Sequence, residues 1–144
     1  MTKSIRDVIK AKGSGVHCIG TDATVYQALE VMATNNIGAL VVKKKEAIVG
    51  ILSERDYARK VILQGRSSPS TIVENIMTTD VCYITPDKTV DEGLALMTDK
   101  RCRHLPVLEK DEMVGMVSIG DLVKAQVAEK DFIIGQLENY IKSG

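Results

Sequence analysis

Gly50-Ile-Leu-Ser53-Glu-Arg-Asp56 returns 65 residues later as Gly115-Met-Val-Ser118-Ile-Gly-Asp121. Sliding the chain by that interval aligns residues 16–57 with 81–122 without a gap, and 14 of the 42 pairs are identical. Chance would give about two or three, so one structural unit is used twice. The matches run outward from the phrase: Val49/Val114, Val42/Val107, Leu40/Leu105, Met32/Met97, Leu29/Leu94, Val25/Val90, Thr24/Thr89, Asp22/Asp87, Ile19/Ile84 and Val16/Val81.

Each copy opens on a short apolar run, Val16 to Ile19 or Val81 to Ile84, that reads as a strand. Thr24-x-x-Gln27 and Thr89-x-x-Glu92 follow, the reciprocal pattern that caps a helix start. Val25, Ala28, Leu29 and Met32, like Val90, Gly93, Leu94 and Met97, recur at helical spacing and predict one buried stripe per helix. Ala39 to Val42 and Ile48 to Leu52 flank a polar turn at Lys43 to Glu46, and Leu105 to Leu108 and Met113 to Val117 flank Glu109 to Glu112. These are hairpins. Ser53-x-x-Asp56 and Ser118-x-x-Asp121 start a closing helix, with Tyr57, Ala58, Val61 and Ile62 expected on the inner face of the first.

The unit is therefore β-α-β-β-α, an α+β fold, and two such units are expected to pack sheet to sheet with pseudo-twofold symmetry, because each alone is too small to bury its elements. The expected divisions are 1–63 for the first repeat, 64–71 for a linker containing Gly65, Ser67, Ser68 and Pro69, 72–128 for the second repeat, and 129–144 for a tail. Phe132 to Ile141 reads as an amphipathic helix outside the repeats, packing on its own module or serving homodimerisation.

The composition agrees with an ordinary globular protein: 144 residues, 44% hydrophobic, 26% charged, 19 basic against 19 acidic side chains. Zero net charge, with Phe132 and four tyrosines as the whole aromatic set, argues against nucleic acid as a partner. No apolar run is long enough to span a membrane, and the opening MTKSIRDVIK lacks the apolar core of a signal peptide. Cys18, Cys82 and Cys102 are an odd count without C-x-x-C spacing, which supports neither a disulfide framework nor a zinc site and suggests a reducing cytoplasm.

The two seven-residue phrases, with Arg103-His104-Leu105-Pro106-Val107 at the entry to a strand, resemble a tandem pair of cystathionine-β-synthase (CBS) domains over roughly residues 5 to 128. The resemblance implies a sensor or regulatory module that binds adenosine-containing ligands in two clefts between the repeats, and a homodimer of modules acting on an effector protein yet to be named. It also implies that each cleft joins the serine–aspartate turn of one repeat to the first strand and second-strand entry of the other. On that basis Ser53, Arg55 and Asp56 would be completed by Cys82 near the base and by Arg101, Arg103 and His104 near the phosphate. Ser118, Gly120 and Asp121 would meet His17, Gly38 and Ala39, where no cation stands, so that cleft either binds weakly, prefers an uncharged adenosine derivative, or is empty.

Chemistry supports the aspartates independently, since one carboxylate can accept both hydroxyls of a ribose diol in charge-assisted bonds worth about 1.5–3 kcal/mol each. Their plainer reading is that each sits at the third position of a helix, favourable to the helix dipole, with Ser53 or Ser118 as cap. Arg101, Arg103 and His104 could also be a solvated basic edge, but Arg103 and His104 directly precede a buried strand, which is expected to point their heads along a crevice; Arg59, Lys60 and Arg66 read as a solvated helix face. Catalysis finds no support: Gly13-Ser-Gly15-Val-His-Cys-Ile-Gly20 resembles a dinucleotide loop with its third glycine misplaced and reads as a turn, and neither His17 nor His104 has a nucleophile at motif spacing. The expected function is binding of AMP, ADP or NAD in preference to a triphosphate, with no catalytic cofactor. The alternative is a non-catalytic interaction module acting through a dimer surface and the C-terminal helix.

Overall fold

The computed structural model describes residues 3–13 and 15–143; Ser14, within the stretch expected as a turn, lies outside the described residues. The elements are α1 (Ile5–Lys12), β1 (Cys18–Gly20), α2 (Val25–Asn35), β2 (Ala39–Lys44), β3 (Ala47–Ser53), α3 (Glu54–Tyr57), α4 (Val90–Lys100), β4 (His104–Glu109), β5 (Glu112–Ser118) and α5 (Ile119–Ser143). This is a mixed α+β chain. It divides into two compact units, one spanning His17–Val81, the other made of residues up to Val16 together with Cys82 onward.

In the unit of the first repeat, Thr24 Oγ1 accepts from the Gln27 N–H at 3.1 Å while Gln27 Oε1 accepts from the Thr24 N–H at 2.9 Å, so the expected cap starts α2. Val25, Ala28 and Met32 are buried and Leu29 is half-buried, as the periodicity requires. β1 runs parallel to β2 (Cys18↔Val41, Ile19↔Val42) and β2 pairs antiparallel with β3 from Ala39↔Ser53 to Lys44↔Ala47. The core is Val25, Ala28, Met32, Leu40, Val42, Leu52, Val61, Val73 and Ile76.

Val73 and Ile76 belong to this core, and residues 64–81 lie in the same compact unit. Val25 N–H donates to Thr71 O at 2.8 Å, Val73 N–H to Ala23 O at 2.8 Å, and Ile51 and Thr78 exchange backbone hydrogen bonds at 2.9 and 2.8 Å. The last pair lays the chain directly across Gly50. A Cβ there would stand 2.8 Å from both Met77 Sδ and Thr78 O, which is why glycine stands at position 50.

The helix after Ser53 departs from expectation. After α3 the chain widens into a π-turn over Ala58–Ile62, with Leu63 N–H donating to Ala58 O at 3.1 Å and Arg66 N–H to Val61 O at 2.8 Å, both five residues apart. The wider turn rotates the faces: Val61 is fully buried, while Ala58 and Ile62, expected inside, are exposed.

The unit of the second repeat repeats the cap, Thr89 with Glu92 at 3.0 and 3.2 Å, and the hairpin, β4 against β5 from His104↔Ser118 to Glu109↔Glu112. Lys110 and Asp111 both have positive φ (53° and 65°), matching the twist of a two-residue hairpin turn. Its sheet has two strands where the other has three. The run Val81 to Ile84, expected as a strand, makes a single bridge, Ile84↔Val107. Proline is the cause. In the first repeat Val41 N–H donates to His17 O at 3.3 Å; Pro106 occupies the matching position and has no N–H to give Cys82.

The N-terminal segment packs here too, which the gapless repeat did not foresee. Val90 N–H donates to Lys3 O at 3.0 Å and Ile5 N–H to Lys88 O at 2.8 Å, and Ser4 caps α1 reciprocally with Asp7. Ile5 and Val8 enter a core of Ile84, Val90, Met97, Leu105, Val107, Val117 and Leu122. Ile9 lies over Gly115, its side chain 3.2 Å from where a Cβ would stand. The tail is not a separate element: α5 runs without a break from Ile119 to Ser143, because residues 124–131 contain no glycine or proline to stop the closing helix.

Candidate functional site

Ser53 ends β3 and Asp56 lies one turn into α3, so strand geometry fixes the first and helix geometry the second. Asp56 N–H donates to Ser53 Oγ at 3.1 Å; in return Asp56 Oδ2 accepts from Ser53 N–H at 3.0 Å and Ser53 Oγ–H at 3.1 Å. Oδ1 faces other partners, Thr78 Oγ1 at 3.2 Å and the Lys60 ammonium at 3.3 Å. The side chain is only 14% exposed. Lys60 also donates to Ile76 O at 3.0 Å, so it is not part of a purely solvated face.

Asp121 repeats the cap: its N–H donates to Ser118 Oγ at 3.1 Å and its Oδ2 accepts from Ser118 N–H at 2.8 Å. Lys12, on α1, reaches the same Oδ2 at 2.8 Å and donates to Met116 O at 2.9 Å. Lys12 thus brings a cation to the carboxylate of Asp121, a partner outside the positions Gly38 and Ala39 where none was expected. Its source is a segment outside the aligned 16–57 and 81–122, beyond the reach of any repeat-to-repeat comparison.

Burial pushes the Asp121 carboxyl up, but the Lys12 hydrogen bond, the Ser118 N–H and the Lys12 charge outweigh it and hold it below the usual carboxylate range. A depressed folded-state value contributes stability above the unfolded value, about 3.9, and that contribution is lost as pH falls through the folded value. The advantage of the native protein over Lys12→Met is expected to be full at pH 6 and to shrink below about pH 4. Urea midpoints measured from pH 6 downward check this; a pH-independent difference would show that Lys12 contributes only packing.

Each candidate residue falls within one unit as follows. Gly38 O accepts from Glu54 N–H at 3.0 Å and Ala39 pairs with Ser53, which brings both to the first turn. In the other unit Arg103 O accepts from Ile119 N–H at 2.9 Å and His104 pairs with Ser118, which brings both to the second. Arg101 ends α4 in the left-handed conformation (φ 55°), His17 O holds Val41, Arg55 is exposed on α3, and Gly120 lies in the first turn of α5. Cys82 is half-buried against the second core. A depression of about 670 Å3 at Gly65–Asn75 and another of about 470 Å3 between Tyr83 and Leu108 are lined by none of these residues. Among the described residues no group of three or more His, Cys, Asp or Glu side chains could hold a metal ion, and no helix is long and apolar enough to cross a membrane. Sequence reading missed Lys12 and Thr78, which reach the aspartates only through tertiary packing; the one signal was Ser4-x-x-Asp7, a third copy of the capping pattern.

Comparison with known proteins follows the same outline. A family model described as CBS domain matches residues 5–62 and 73–128. The mitochondrial CBS domain-containing protein CBSX3 of Arabidopsis thaliana is 47% identical over 151 aligned positions, covering 98% of this chain and 73% of that protein. CBS domain-containing protein YhcV of Bacillus subtilis is 28% identical, covering 88% of each. A solved structure from Burkholderia ambifaria, a CBS-domain protein assigned to signal transduction, superposes with TM-score 0.82 at 46% identity, covering 89% of this chain and 95% of that one.

Proposed function

Because the chain belongs to the CBS domain family, we propose that it is a non-catalytic regulatory module binding an adenosine-containing nucleotide of the AMP, ADP or NAD class, with Asp56 accepting the ribose hydroxyls. The observation that carries this is the Asp56 carboxylate itself, only 14% exposed and fixed by Ser53, with Oδ1 held by the exchangeable side chains of Thr78 and Lys60. A ribose hydroxyl can replace or share those partners without disturbing the cap on Oδ2. On Asp121 the Lys12 ammonium shares Oδ2 with the Ser118 cap, whereas on Asp56 the lysine sits on the other oxygen, so Asp121 is proposed as the weaker ribose acceptor. Three free cysteines suit a reducing compartment, and the proposed location is the cytoplasm.

Calorimetric titration of AMP, ADP, NAD, S-adenosylmethionine and magnesium-free ATP tests this. Micromolar binding of AMP, ADP or NAD is expected, weakened at least about tenfold in Asp56→Ala, one lost charged hydrogen bond being worth about that much, and retained in Asp121→Ala. Thr24→Ala is the control: it removes a helix cap in the same unit and leaves the Asp56 carboxylate and its partners in place, so it binds. No heat from any nucleotide, with protein shown free of copurified ligand, overturns the proposal, and tighter ATP binding overturns the ranking.

One observation favours a second role, self-association. Phe132, Ile133, Ile134, Leu137, Tyr140 and Ile141 of α5 are between 47% and 79% exposed, more apolar surface than one helix end ordinarily leaves to water. A hexameric CBS-CP12 protein of bloom-forming cyanobacteria, 25% identical with TM-score 0.77, is one oligomeric structure of similar fold. The tail is proposed as the dimer surface, and sedimentation of a chain ending at residue 130 alongside the titrations separates assembly from ligand binding.

A further inference from the structure

The closing turn of the first repeat stops where its counterpart runs on as α5. Gly65 takes the left-handed conformation (φ 72°), its N–H donating to Ile62 O at 3.1 Å, and Arg66 N–H reaches back to Val61 O at 2.8 Å. At the interval of 65 the second repeat has Lys130 and Asp131 inside the helix instead. Arg66, expected on a solvated helix face, therefore stands beyond the helix with its backbone anchored. Past it, Thr71 Oγ1 donates to Ser67 O at 2.8 Å and the hydroxyls of Ser67 and Ser70 meet at 2.7 Å, which curls the chain around the depression of about 670 Å3. Val25 N–H holds the same loop through Thr71 O at 2.8 Å.

The lining is Gly65, Arg66, Ser67, Ser70, Thr71 and Asn75: one cation, one carboxamide, three hydroxyls and no acidic side chain. Among the described residues, neither the Arg66 guanidinium nor the Asn75 amide has a hydrogen-bond or ion-pair partner. Glu74, the nearest carboxylate along the chain, is exposed and takes no part in the lining. We propose that this depression is an oxyanion site for a phosphate group, free or as a monoester, with Arg66 as its charged donor.

The donor set decides the class of ligand. Arginine presents a planar fork of N–H groups that engages two oxygens of a phosphate at once. The Asn75 amide brings further N–H groups. Of the two protons on Ser67 and Ser70, one lies between the paired oxygens, and the other, which Ser70 gives to Ser67 O at a long 3.3 Å, can turn to a ligand. A planar carboxylate has only the two oxygens that the fork already occupies, whereas a phosphate has a third for the amide and the hydroxyl. The phosphate fills only part of the depression, which leaves room for an ester group. Bound between Arg66 and Asn75 it ties the two ends of the loop together and stabilises the folded unit in proportion to its occupancy. This inference stands independently of nucleotide binding at Asp56.

The test follows backbone amide NMR shifts of the full chain during titration with inorganic phosphate, glycerol 3-phosphate, sodium acetate and sodium chloride at matched ionic strength, in the native protein, Arg66→Gln and Asp56→Ala. Saturable shifts centred on residues 65–71 and Asn75 are expected with either phosphate, unchanged in Asp56→Ala. Binding is expected to weaken at least about tenfold in Arg66→Gln, the effect of one lost charged hydrogen bond, and to be at least as much weaker for acetate. Tighter binding of glycerol 3-phosphate than of inorganic phosphate identifies the ligand as a monoester, and the reverse as the free ion. No saturable shift, an equal response to acetate or chloride, full retention in Arg66→Gln, or shifts centred elsewhere would each overturn the proposal. Loss in Asp56→Ala would assign the phosphate to the nucleotide site and overturn it as well.

Discussion

Ile5→Ala is expected to destabilise the protein by about 3 kcal/mol, within the range of roughly 2–5 kcal/mol for emptying a buried isoleucine site. A residue so near a terminus ordinarily tolerates change, because end segments have few buried contacts. Here the side chain is fully buried against Ile84, Val90 and Leu122, and the backbone on either side is hydrogen-bonded to Lys88 and Pro86. For a unit of this size each kcal/mol moves the thermal midpoint by about 4 °C or more, so a drop on the order of 12 °C is anticipated. Urea and thermal unfolding followed by circular dichroism measure it, with Val73→Ala as the matched change in the other unit. A loss under about 1 kcal/mol would mean that α1 covers the core without belonging to it.

The second large effect separates two glycines that the sequence makes equivalent. Gly50→Ala is expected to cost about 1–3 kcal/mol, the range for forcing an atom into a packed interior. Its Cβ would meet the Thr78 carbonyl at 2.8 Å, and that carbonyl cannot retreat without losing the hydrogen bond from Ile51. Gly115→Ala meets only Ile9 side-chain atoms at 3.2–3.3 Å, which can turn aside, so its cost is expected to stay below about 1 kcal/mol. Equal losses in the two variants, measured side by side by urea unfolding, would contradict this difference between backbone and side-chain neighbours.

What the sequence made readable was whatever local chemistry repeats. Thr24 with Gln27, Thr89 with Glu92, and the apolar stripes of α2 and α4 are written within a few residues of each other, and they form as read. Ser53 and Asp56 were recognisable as a cap for the same reason. The company kept by the two aspartates was not. Lys12 reaches Asp121 across 109 positions and Thr78 reaches Asp56 across 22, and nothing in local spacing encodes either meeting. Pro106 was visible as a residue but not as a missing donor, which becomes apparent only when Val41 is seen holding His17. The role of α1 was hidden by arithmetic: Ile5 corresponds to Val73, an interval of 68, whereas the repeats align at 65. A gapless comparison at one interval cannot register both.

The interrupted unit also has a history written into it. Residues 17–81 are contiguous and hold their whole core, so they can collapse while later codons are still being read. Residues 3–12 are made before this segment, yet their partners Thr89, Gly115 and Leu122 are made after it. Until then Ile5, Val8 and Ile9 travel as an uncovered apolar segment, and closing them onto their partners requires drawing in a loop that contains the entire first repeat. The entropy of that closure grows only slowly with length, so the intervening repeat adds little to its cost. Helix α1, made ahead of the first repeat, thus stays uncovered until the second repeat exists.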